Sequence, residues 1–434
     1  MKTFSIGGIR LPENKLTATS PIVRLPLPPE VTLLLGQHIG VPARPVVKKG
    51  DRVLRGQTVA ESVGAVSAPV HSPVCGTVSG IVTVKTPQGL PSEAIAITTD
   101  PDDSGAAFPL TPMADVPAAA RMAGIVGMGG AAFPTPVKLA PPPDTKIDTL
   151  IVNAAECEPF LTCDHALMLD DPDGIIGGAR LIMECAGATR CVIAVEANKP
   201  DAIRLLRAKA ASVSGMEVMT LRPRYPQGGE KQLIQAVTGR MVPSGALPAA
   251  AGVIVQNVAT VRAVWRAVTL GEPLMERVIT VTGPSLTRPG NYLAALGTPL
   301  HTLIEAAGGL PADTGMVIAG GPMMGRAVST LDSFTVKGMS GLLVLPAQTA
   351  THRREEPCVR CGRCVSICPM GLEPYLLATF ARRGMTEEAA DALAANCIEC
   401  GSCSYVCPSS RPLIDYIRVG KKRVTAMLRS RKQS

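Results

Sequence analysis

Aromatic residues and long apolar runs are both scarce in this sequence. Phe, Trp and Tyr together make up 3 % of the 434 residues. No run of about 18 consecutive apolar residues occurs, so a membrane-spanning helix is not expected. The most apolar stretch, residues 181–197, is interrupted by Glu184 and Arg190. The segment Met1–Ser5 lacks the apolar core of a signal peptide. The sequence therefore predicts a soluble protein made in the cytoplasm.

The composition nevertheless supports folded cores. Apolar residues make up 46 % of the chain, which also contains 42 glycines and 39 prolines. This combination favours tightly turned α/β and small β domains over helical bundles. A chain of this length has room for about two to four domains.

The positive charge is concentrated at the C-terminus. The formal net charge is +8, and from Arg411 onward there are eight basic residues and one acidic residue, Asp415. Such a segment can meet an acidic partner or an anionic lipid surface. The alternative is a solvated tail that contacts nothing. Nucleic acid is not an expected partner, because aromatic residues do not alternate with these charges.

Two copies of one cysteine pattern lie in this C-terminal region. Each copy reads C-x2-C-x2-C-x3-C-P, beginning at Cys358 and at Cys397. This is the spacing of bacterial two-cluster ferredoxins, in which the fourth cysteine of each run ligates the cluster of the other run. Zinc sites instead usually use two C-x2-C pairs around a long spacer. The sequence therefore predicts two [4Fe–4S] clusters. The first-cluster set is Cys358, Cys361, Cys364 and Cys407, and the second-cluster set is Cys368, Cys397, Cys400 and Cys403.

The sequence as a whole divides into five stretches, of which the cluster domain is one. Residues 1–110 contain short β segments separated by Pro and Gly, typical of a barrel-sandwich hybrid of the biotinyl/lipoyl type. No lysine occurs between Lys49 and Lys85, so a cofactor-carrying lysine is not expected there. Residues 111–270 alternate strand-like and helical runs, which predicts a parallel sheet covered by helices. Residues 271–346 resemble a small β-grasp module. The cluster domain is predicted at 347–418 and a basic tail at 419–434.

Three segments of the α/β stretch suggest a cofactor site. Residues 127–135 form a glycine-rich loop whose backbone N–H groups could approach a phosphate, although its glycines do not follow G-x-G-x-x-G. Residues 153–159 follow a predicted strand, where α/β folds place ligand groups. Residues 225–231 contain another glycine turn that opens a helix. The alternative for Glu156 and Glu158 is a helix N-cap cluster. A flavin suits a chain with two cubes, because it joins two-electron hydride chemistry to single-electron transfer.

These segments resemble a known family. The three cofactor segments are similar to the FMN/NADH-binding fold of the complex I flavoprotein subunit. The opening Gly7-Gly8-Ile9, the barrel-sandwich stretch, an SLBB-like β-grasp module and the two cysteine runs occur in the order found in the RnfC/RsxC family, the C subunits of Rnf electron transport complexes. The resemblance implies a multidomain α/β protein with a Rossmann-like FMN/NADH-binding domain and a helical ferredoxin-like cluster domain.

The resemblance also implies roles for particular residues. Glu158 and Phe133 would lie at the nicotinamide and serve catalysis. The residues implied to bind FMN or line its site are Gly127, Gly129, Gly130, Ala131, Lys138, Asn153, Glu156, Gly228, Gly229, Glu230 and Asn257. The chain departs from the family loop at Ala132, where a glycine is usual. If that position needs a positive φ, alanine costs about 1 kcal/mol.

The family role implied is the NAD(H)-side subunit of an ion-translocating ferredoxin:NAD oxidoreductase. NADH would be the substrate, and FMN and two [4Fe–4S] clusters the cofactors. The implied partners are the ferredoxin-like B subunit, the membrane subunits of the complex and, indirectly, ferredoxin. The implied location is peripheral, on the cytoplasmic face of the membrane. Two alternatives stay open: an iron–sulfur relay or scaffold without its own flavin, supported by Ala132, and a soluble cobalamin-reductase relative.

Overall fold

Four modules follow one another along the chain in the predicted order, and the predicted fold class is confirmed. The structure is a computed structural model that describes residues 1–101, 110–142, 145–350 and 354–433. The composition of the sequence indicates a Pro/Asp-rich connector at 99–117 and a Thr/Arg-rich linker at 347–356. Parts of both segments, and the last residue of the expected basic tail, lie outside the described ranges. Within the described ranges, no helix is both long enough and apolar enough to cross a bilayer.

The barrel-sandwich module is built from two small antiparallel sheets. One sheet has the strand order β2-β8-β7-β4 and the other β3-β5-β6. Their facing side chains, such as Val31, Val59 and Ile95, are fully buried. After a first short strand, β1 (Ile22–Arg24), the strands are β2 (Glu30–Leu34), β3 (Arg44–Pro45), β4 (Arg52–Val53), β5 (Thr58–Glu61), β6 (Val70–His71), β7 (Gly76–Lys85) and β8 (Pro91–Thr99).

The α/β module contains a four-stranded parallel sheet, as predicted. Its elements are α1 (Val116–Met122), α2 (Thr135–Leu139), β9 (Thr149–Ala154), α3 (Cys163–Asp170), α4 (Pro172–Cys185), β10 (Arg190–Glu196), α5 (Pro200–Ala210), β11 (Met216–Leu221), α6 (Glu230–Thr238), β12 (Val253–Asn257) and α7 (Val258–Leu270). The strand order is β11-β10-β9-β12. Leu150 and Val152 pack in the core that contains α4 and α7, whereas Ile151 packs with α6 on the other face. Alternate residues of β9 are therefore buried on both faces of the sheet.

The β-grasp module has a six-stranded mixed sheet covered by one helix. Its elements are β13 (Glu276–Thr282), β14 (Gly290–Ala295), α8 (Leu300–Ala306), β15 (Thr314–Ala319), β16 (Arg326–Ala327), β17 (Gly341–Pro346) and the short α9 (Ala347–Ala350). The strand order is β1-β14-β13-β17-β15-β16. Leu300, Leu303 and Ile304 of α8 form one buried core with Ile279 and Leu342 of the sheet.

The cluster module is helical, and its last helix extends through the segment expected as a basic tail. Its elements are α10 (Arg363–Ser366), α11 (Pro374–Arg383), α12 (Thr386–Asp391), α13 (Ser402–Tyr405) and α14 (Leu413–Gln433). The boundary expected at 418 falls inside α14, so the basic segment continues this helix. The reason is packing: Ile417 and Val424 are buried in the module's core. A side chain at Gly420 would come within 2.7 Å of Ala381 Cβ, so α14 approaches α11 closely there.

The first 24 residues, expected to be part of the barrel-sandwich unit, pair with the three other modules. Ile9 and Tyr225 exchange two backbone hydrogen bonds of 2.8 Å. Gly8 N donates to Ile367 O at 2.8 Å, and β1 pairs in parallel with β14. The N-terminal segment therefore contacts the α/β, cluster and β-grasp modules. Such long-range pairing leaves no local pattern from which the sequence could predict it.

Candidate functional site

The three cofactor segments meet at the carboxyl edge of the parallel sheet. From β9 the chain moves outward to β10 and β11, and then returns to β12 on the other side of β9. Ligands of open α/β sheets bind where the strand order reverses in this way. Asn153 of β9 and Asn257 of β12 are register partners at this point. The residues predicted from separate parts of the sequence thus share one edge.

The glycine loop closes on itself and presents its backbone to solvent. Gly127 N donates to Phe133 O at 2.8 Å, while Gly129, Gly130 and Ala131 are exposed. A side chain at Gly129 would come within 2.9 Å of Asn257 Cβ, whereas one at Gly130 would meet no protein atom within 4 Å. A ligand could therefore lie directly on this backbone. The loop fits the phosphate-bearing part of a flavin nucleotide.

Ala132 adopts a left-handed backbone conformation, which favours the glycine that is usual at this position. Its φ is +53°, and its side chain is buried. Its carbonyl accepts a hydrogen bond from Ile39 N of the barrel-sandwich module at 3.3 Å. Because the position has a positive φ, alanine costs about 1 kcal/mol there relative to glycine.

The second and third segments are joined by Asn153. Its Nδ2 donates to Gly228 O at 2.9 Å, and its Oδ1 accepts from Ala155 N at 3.3 Å. Gly228 N in turn donates to Cys157 Sγ at 3.3 Å. Gly229 is the N-cap of α6. Asn153 therefore holds the two segments in a fixed relation.

Three other polar residues that the resemblance assigns to the cofactor site are Lys138, Glu230 and Asn257. Each of them is hydrogen-bonded to another part of the protein. Lys138 Nζ lies 2.6 Å from Glu230 Oε1, with both side chains partly exposed. Asn257 caps α7 by accepting from Ala259 N at 2.9 Å, and it donates to Asp164 Oδ2 at 2.7 Å. Lys138 and Glu230 thus lie together at the edge of the site. The amide of Asn257 orients the start of α7.

Glu156 has the helix-capping geometry that the sequence offered as the alternative. Its carboxylate accepts from Asp164 N at 2.7 Å and from His165 N at 3.3 Å, in the first turn of α3. Its own φ is +47°. Burial raises the pKa of this carboxyl, while Lys15 opposes the shift. Glu156 therefore holds residues 153–159, the acidic segment, against the first turn of α3.

Glu158 faces a turn of the β-grasp module. Its carboxylate accepts from Met323 N at 3.1 Å and from Met324 N at 2.8 Å. Burial raises the pKa of Glu158 to about 7, although these hydrogen bonds oppose the shift. The structure therefore brings the β15–β16 turn into the site, which the sequence analysis did not foresee.

Two lysines that the sequence analysis missed support the acidic segment, Lys15 being partly buried and Lys199 fully buried. Lys15 Nζ donates to Glu156 O at 2.8 Å and to Glu158 O at 2.9 Å. Lys199 Nζ donates to Ala155 O at 2.7 Å, and its side chain is only 2 % exposed. Neither residue lies in a glycine-rich or acidic motif, so no local signal marks it.

The two cysteine runs share one backbone conformation. Arg360 and Glu399 occupy equivalent positions and have φ values of +53° and +58°. Gly362 and Gly401 follow with φ values of +73° and +75°. A short helix then begins in each run, α10 in the first and α13 in the second. Repeated left-handed residues turn each run back on itself, which suits several thiolates converging on one cluster.

The structure brings all four cysteines of the second-cluster set together, and three cysteines of the first-cluster set lie near one another. All four members of the second-cluster set line one apolar cavity between the run loops and α11. In the first-cluster set, burial raises the pKa of Cys364, and the nearby thiols of Cys358 and Cys407 add to the effect. Four soft sulfur ligands around one cavity, as in the second-cluster set, fit a cubane cluster. Cys358 and Cys361 are exposed, whereas Cys400 and Cys403 are buried.

The second-cluster set lies against the cofactor segments. Tyr225 begins the third segment, and its hydroxyl donates to Cys400 O at 2.8 Å. Tyr225, Ile9 and Cys400 form a buried cluster on which Cys157 and Met323 also pack. The α/β and cluster modules are thus in direct contact at the second-cluster set.

Four family models match this chain. They are the RnfC barrel sandwich hybrid domain over residues 2–102, the Nuo51 FMN-binding domain over 120–266, the SLBB domain over 278–327 and the 4Fe-4S dicluster domain over 357–411. The FMN-binding match contains the glycine loop and both other cofactor segments. The dicluster match contains all eight cysteines of the two sets.

Two curated relatives match this chain along nearly their whole length. The chain is 42 % identical to the C subunit of the Na(+)-translocating ferredoxin:NAD(+) oxidoreductase complex of Acetobacterium woodii, over 98 % of this chain and 97 % of the relative. It is 41 % identical to the proton-translocating counterpart of Clostridium ljungdahlii, over 90 % and 87 %. A solved NAD+-reducing [NiFe]-hydrogenase overlaps with a TM-score of 0.49 at 21 % identity, covering 72 % of this chain and 63 % of the other. The chain belongs to the RnfC family, the C subunits of ion-translocating oxidoreductase complexes.

Proposed function

We propose that this chain is the NAD(H)-side subunit of a ferredoxin:NAD oxidoreductase and passes electrons between NADH, FMN and two [4Fe–4S] clusters. The observation that carries the proposal is the contact between Tyr225, at the head of a cofactor segment, and Cys400 of the second-cluster set. Through this contact, the segment proposed to hold FMN adjoins the loop that carries a proposed ligand of the second cluster. Bound FMN would supply a carrier that exchanges two electrons with the nicotinamide and single electrons with the cubes.

The chain's own residues have distinct tasks in this proposal. The backbone of Gly127 and of the exposed residues Gly129, Gly130 and Ala131 would hold the FMN phosphate and ribityl chain. Asn153 holds the flavin ring and keeps Gly228 in place. Phe133 and Glu158 lie on the nicotinamide side, and the Lys138–Glu230 pair borders the pocket. Glu156 acts indirectly, by fixing the start of α3. With the cofactors bound, oxidation of one NADH to NAD+ and one proton would supply two electrons, enough to reduce each of the two cubes by one electron.

The burial of the cysteines supports an order for the two clusters. The second cluster lies next to the cofactor segments, with Cys400 and Cys403 buried. The first cluster lies at the surface, where Cys358 and Cys361 are exposed. We propose that the second cluster exchanges electrons with the flavin and the first with a partner. The ferredoxin-like B subunit, and through it ferredoxin, is the proposed partner at a peripheral site on the cytoplasmic face of the membrane.

The test is an absorbance experiment on the whole chain. The protein is purified anaerobically, reconstituted with iron, sulfide and FMN, and then mixed with NADH. We expect the flavin bands to bleach first and the broad iron–sulfur band afterwards. Normal clusters with no FMN uptake and no response to NADH would instead support the flavin-free relay.

A paired substitution tests where FMN binds. A methyl group at Gly130 meets no protein atom within 4 Å, so Gly130→Ala should leave the stability of the flavin-free chain unchanged. The same methyl group would occupy the space proposed for the phosphate and should weaken FMN binding. Unchanged FMN affinity in a fluorescence titration would show that the flavin does not lie on this loop.

A further inference from the structure

We infer that the methionine turn, residues 320–325 between β15 and β16, couples the flavin site to the second cluster and sets the rate at which that cluster is reduced. The inference rests on the proposed function and extends it to a module that carries no cofactor of its own. The turn has the sequence Gly-Gly-Pro-Met-Met-Gly. It lies between the acidic segment and the second-cluster set and contacts both.

On the flavin side, Glu158 anchors the turn. Both oxygens of the Glu158 carboxylate accept backbone hydrogen bonds, from Met323 N at 3.1 Å and from Met324 N at 2.8 Å. Any side chain at Gly321 would come within 2.7 Å of Glu158 Cβ, so the close approach requires glycine there. No lysine, arginine or histidine side chain among the described residues lies within ion-pair distance of this carboxylate. The backbone of the turn is therefore its main partner.

On the cluster side, Met323 is the contact residue. Its carbonyl oxygen lies 2.8 Å from the position that a side chain at Gly401 would occupy. Gly401 directly follows Cys400 and has a φ of +75°. The Met323 side chain packs on the buried cluster formed by Ile9, Tyr225 and Cys400. One residue thus touches the loop that carries a cluster ligand and, through its N–H, the acidic segment.

This arrangement explains why a β-grasp module would be built into the site. Electron transfer slows steeply as the separation of two centres grows and as the intervening contact loosens. Backbone hydrogen bonds to a buried carboxyl group are strong when the group is ionised, because the acceptor is then charged and shielded from water. Met323 fills the remaining irregular space with a polarisable side chain. Met323 and Glu158 act here as positioning residues for the path between flavin and cube.

The test uses the full chain reconstituted with both clusters and FMN. Met323→Ala is compared with wild type and with Met241→Ala, a control methionine that is 71 % exposed and distant from the turn in sequence. Iron content and the EPR spectrum after dithionite reduction should match in all three proteins. In stopped-flow mixing with NADH, flavin bleaching should be unchanged in Met323→Ala. Bleaching of the iron–sulfur band should slow about tenfold, equivalent to a barrier about 1.4 kcal/mol higher. Wild-type rates of iron–sulfur bleaching in Met323→Ala would overturn the inference.

A second measurement does not depend on flavin or NADH. Glutamine at position 158 would place an amide N–H against one of the two backbone donors, so Glu158→Gln should free that part of the turn. Hydrogen exchange of the Met323 and Met324 amides should then accelerate in the flavin-free chain. Unchanged exchange would refute the anchoring. If wild type itself fails to respond to NADH, the proposed function fails, and this exchange measurement still decides whether Glu158 holds the turn.

Discussion

Lys337 offers the sharpest test of how the modules are held together. The residue is fully buried, and its Nζ donates to Pro69 O at 2.6 Å and to Gly124 O at 2.7 Å. Pro69 belongs to the barrel-sandwich module, and Gly124 lies in the α/β module just before the glycine loop. No carboxylate in the described part of the chain lies within 4 Å of the ammonium group. Burial lowers the pKa of Lys337 from 10.5 to about 7.

The direction of the pH effect follows from this lowered pKa. Between about pH 7 and pH 10.5 the unfolded chain holds the lysine proton and the folded chain releases it. The free energy of unfolding therefore rises with pH across this window. Below pH 7 the folded chain bears the full cost of a buried charge, about 5 kcal/mol at ~1.4 kcal/mol for each pKa unit. His71 stays neutral above pH 6, because burial lowers its pKa to about 3.

Lys337→Met removes this cost together with two hydrogen bonds. Loss of the hydrogen bonds changes stability by a similar amount at every pH, whereas the charge term changes with pH. The difference in unfolding free energy between variant and wild type should therefore favour the variant more at pH 6 than at pH 9.5, by about 3 kcal/mol. Urea unfolding followed by fluorescence of Trp265, the single tryptophan, measures it. The exposed Lys422→Met is the control. A difference independent of pH would refute the buried-charge argument.

Three further changes test other parts of the structure. Cys368→Ser should abolish the EPR signal of the cluster held by Cys397, Cys400 and Cys403 and leave the other signal intact; loss of the first cluster's signal instead would contradict the crossed ligation. Ala132→Gly should relieve about 1 kcal/mol of backbone strain in the loop and tighten FMN binding in a fluorescence titration, and weaker binding would contradict this. Truncation after residue 418 removes the fully buried Val424, so the melting temperature and iron content should fall. Retention of both would show that the end of α14 is dispensable for the cluster module.

Much of the architecture could be predicted from the sequence because the relevant signals are local. The spacing of the cysteines places four ligands within a few residues, and the structure brings Cys368 to the cysteines of the second run. The apolar runs at residues 149–152 and 191–195 coincide with β9 and β10, since apolar runs between helical segments suit a sheet buried on both faces. The glycine loop was identifiable because its backbone chemistry depends on consecutive small residues.

Only the tertiary structure decided how these parts contact one another. Lys15 reaches the acidic segment from 141 positions away, and Lys337 joins two modules from 268 and 213 positions away. The sequence marks neither lysine, because a buried cation is recognisable only from the carbonyls around it. The same holds for Glu158, which the family resemblance implied at the nicotinamide, and whose carboxylate accepts hydrogen bonds from a turn of another module. Residue type and spacing determined which cofactors this chain could hold. Long-range packing determined which side chains support them, because those contacts join positions with no common local pattern.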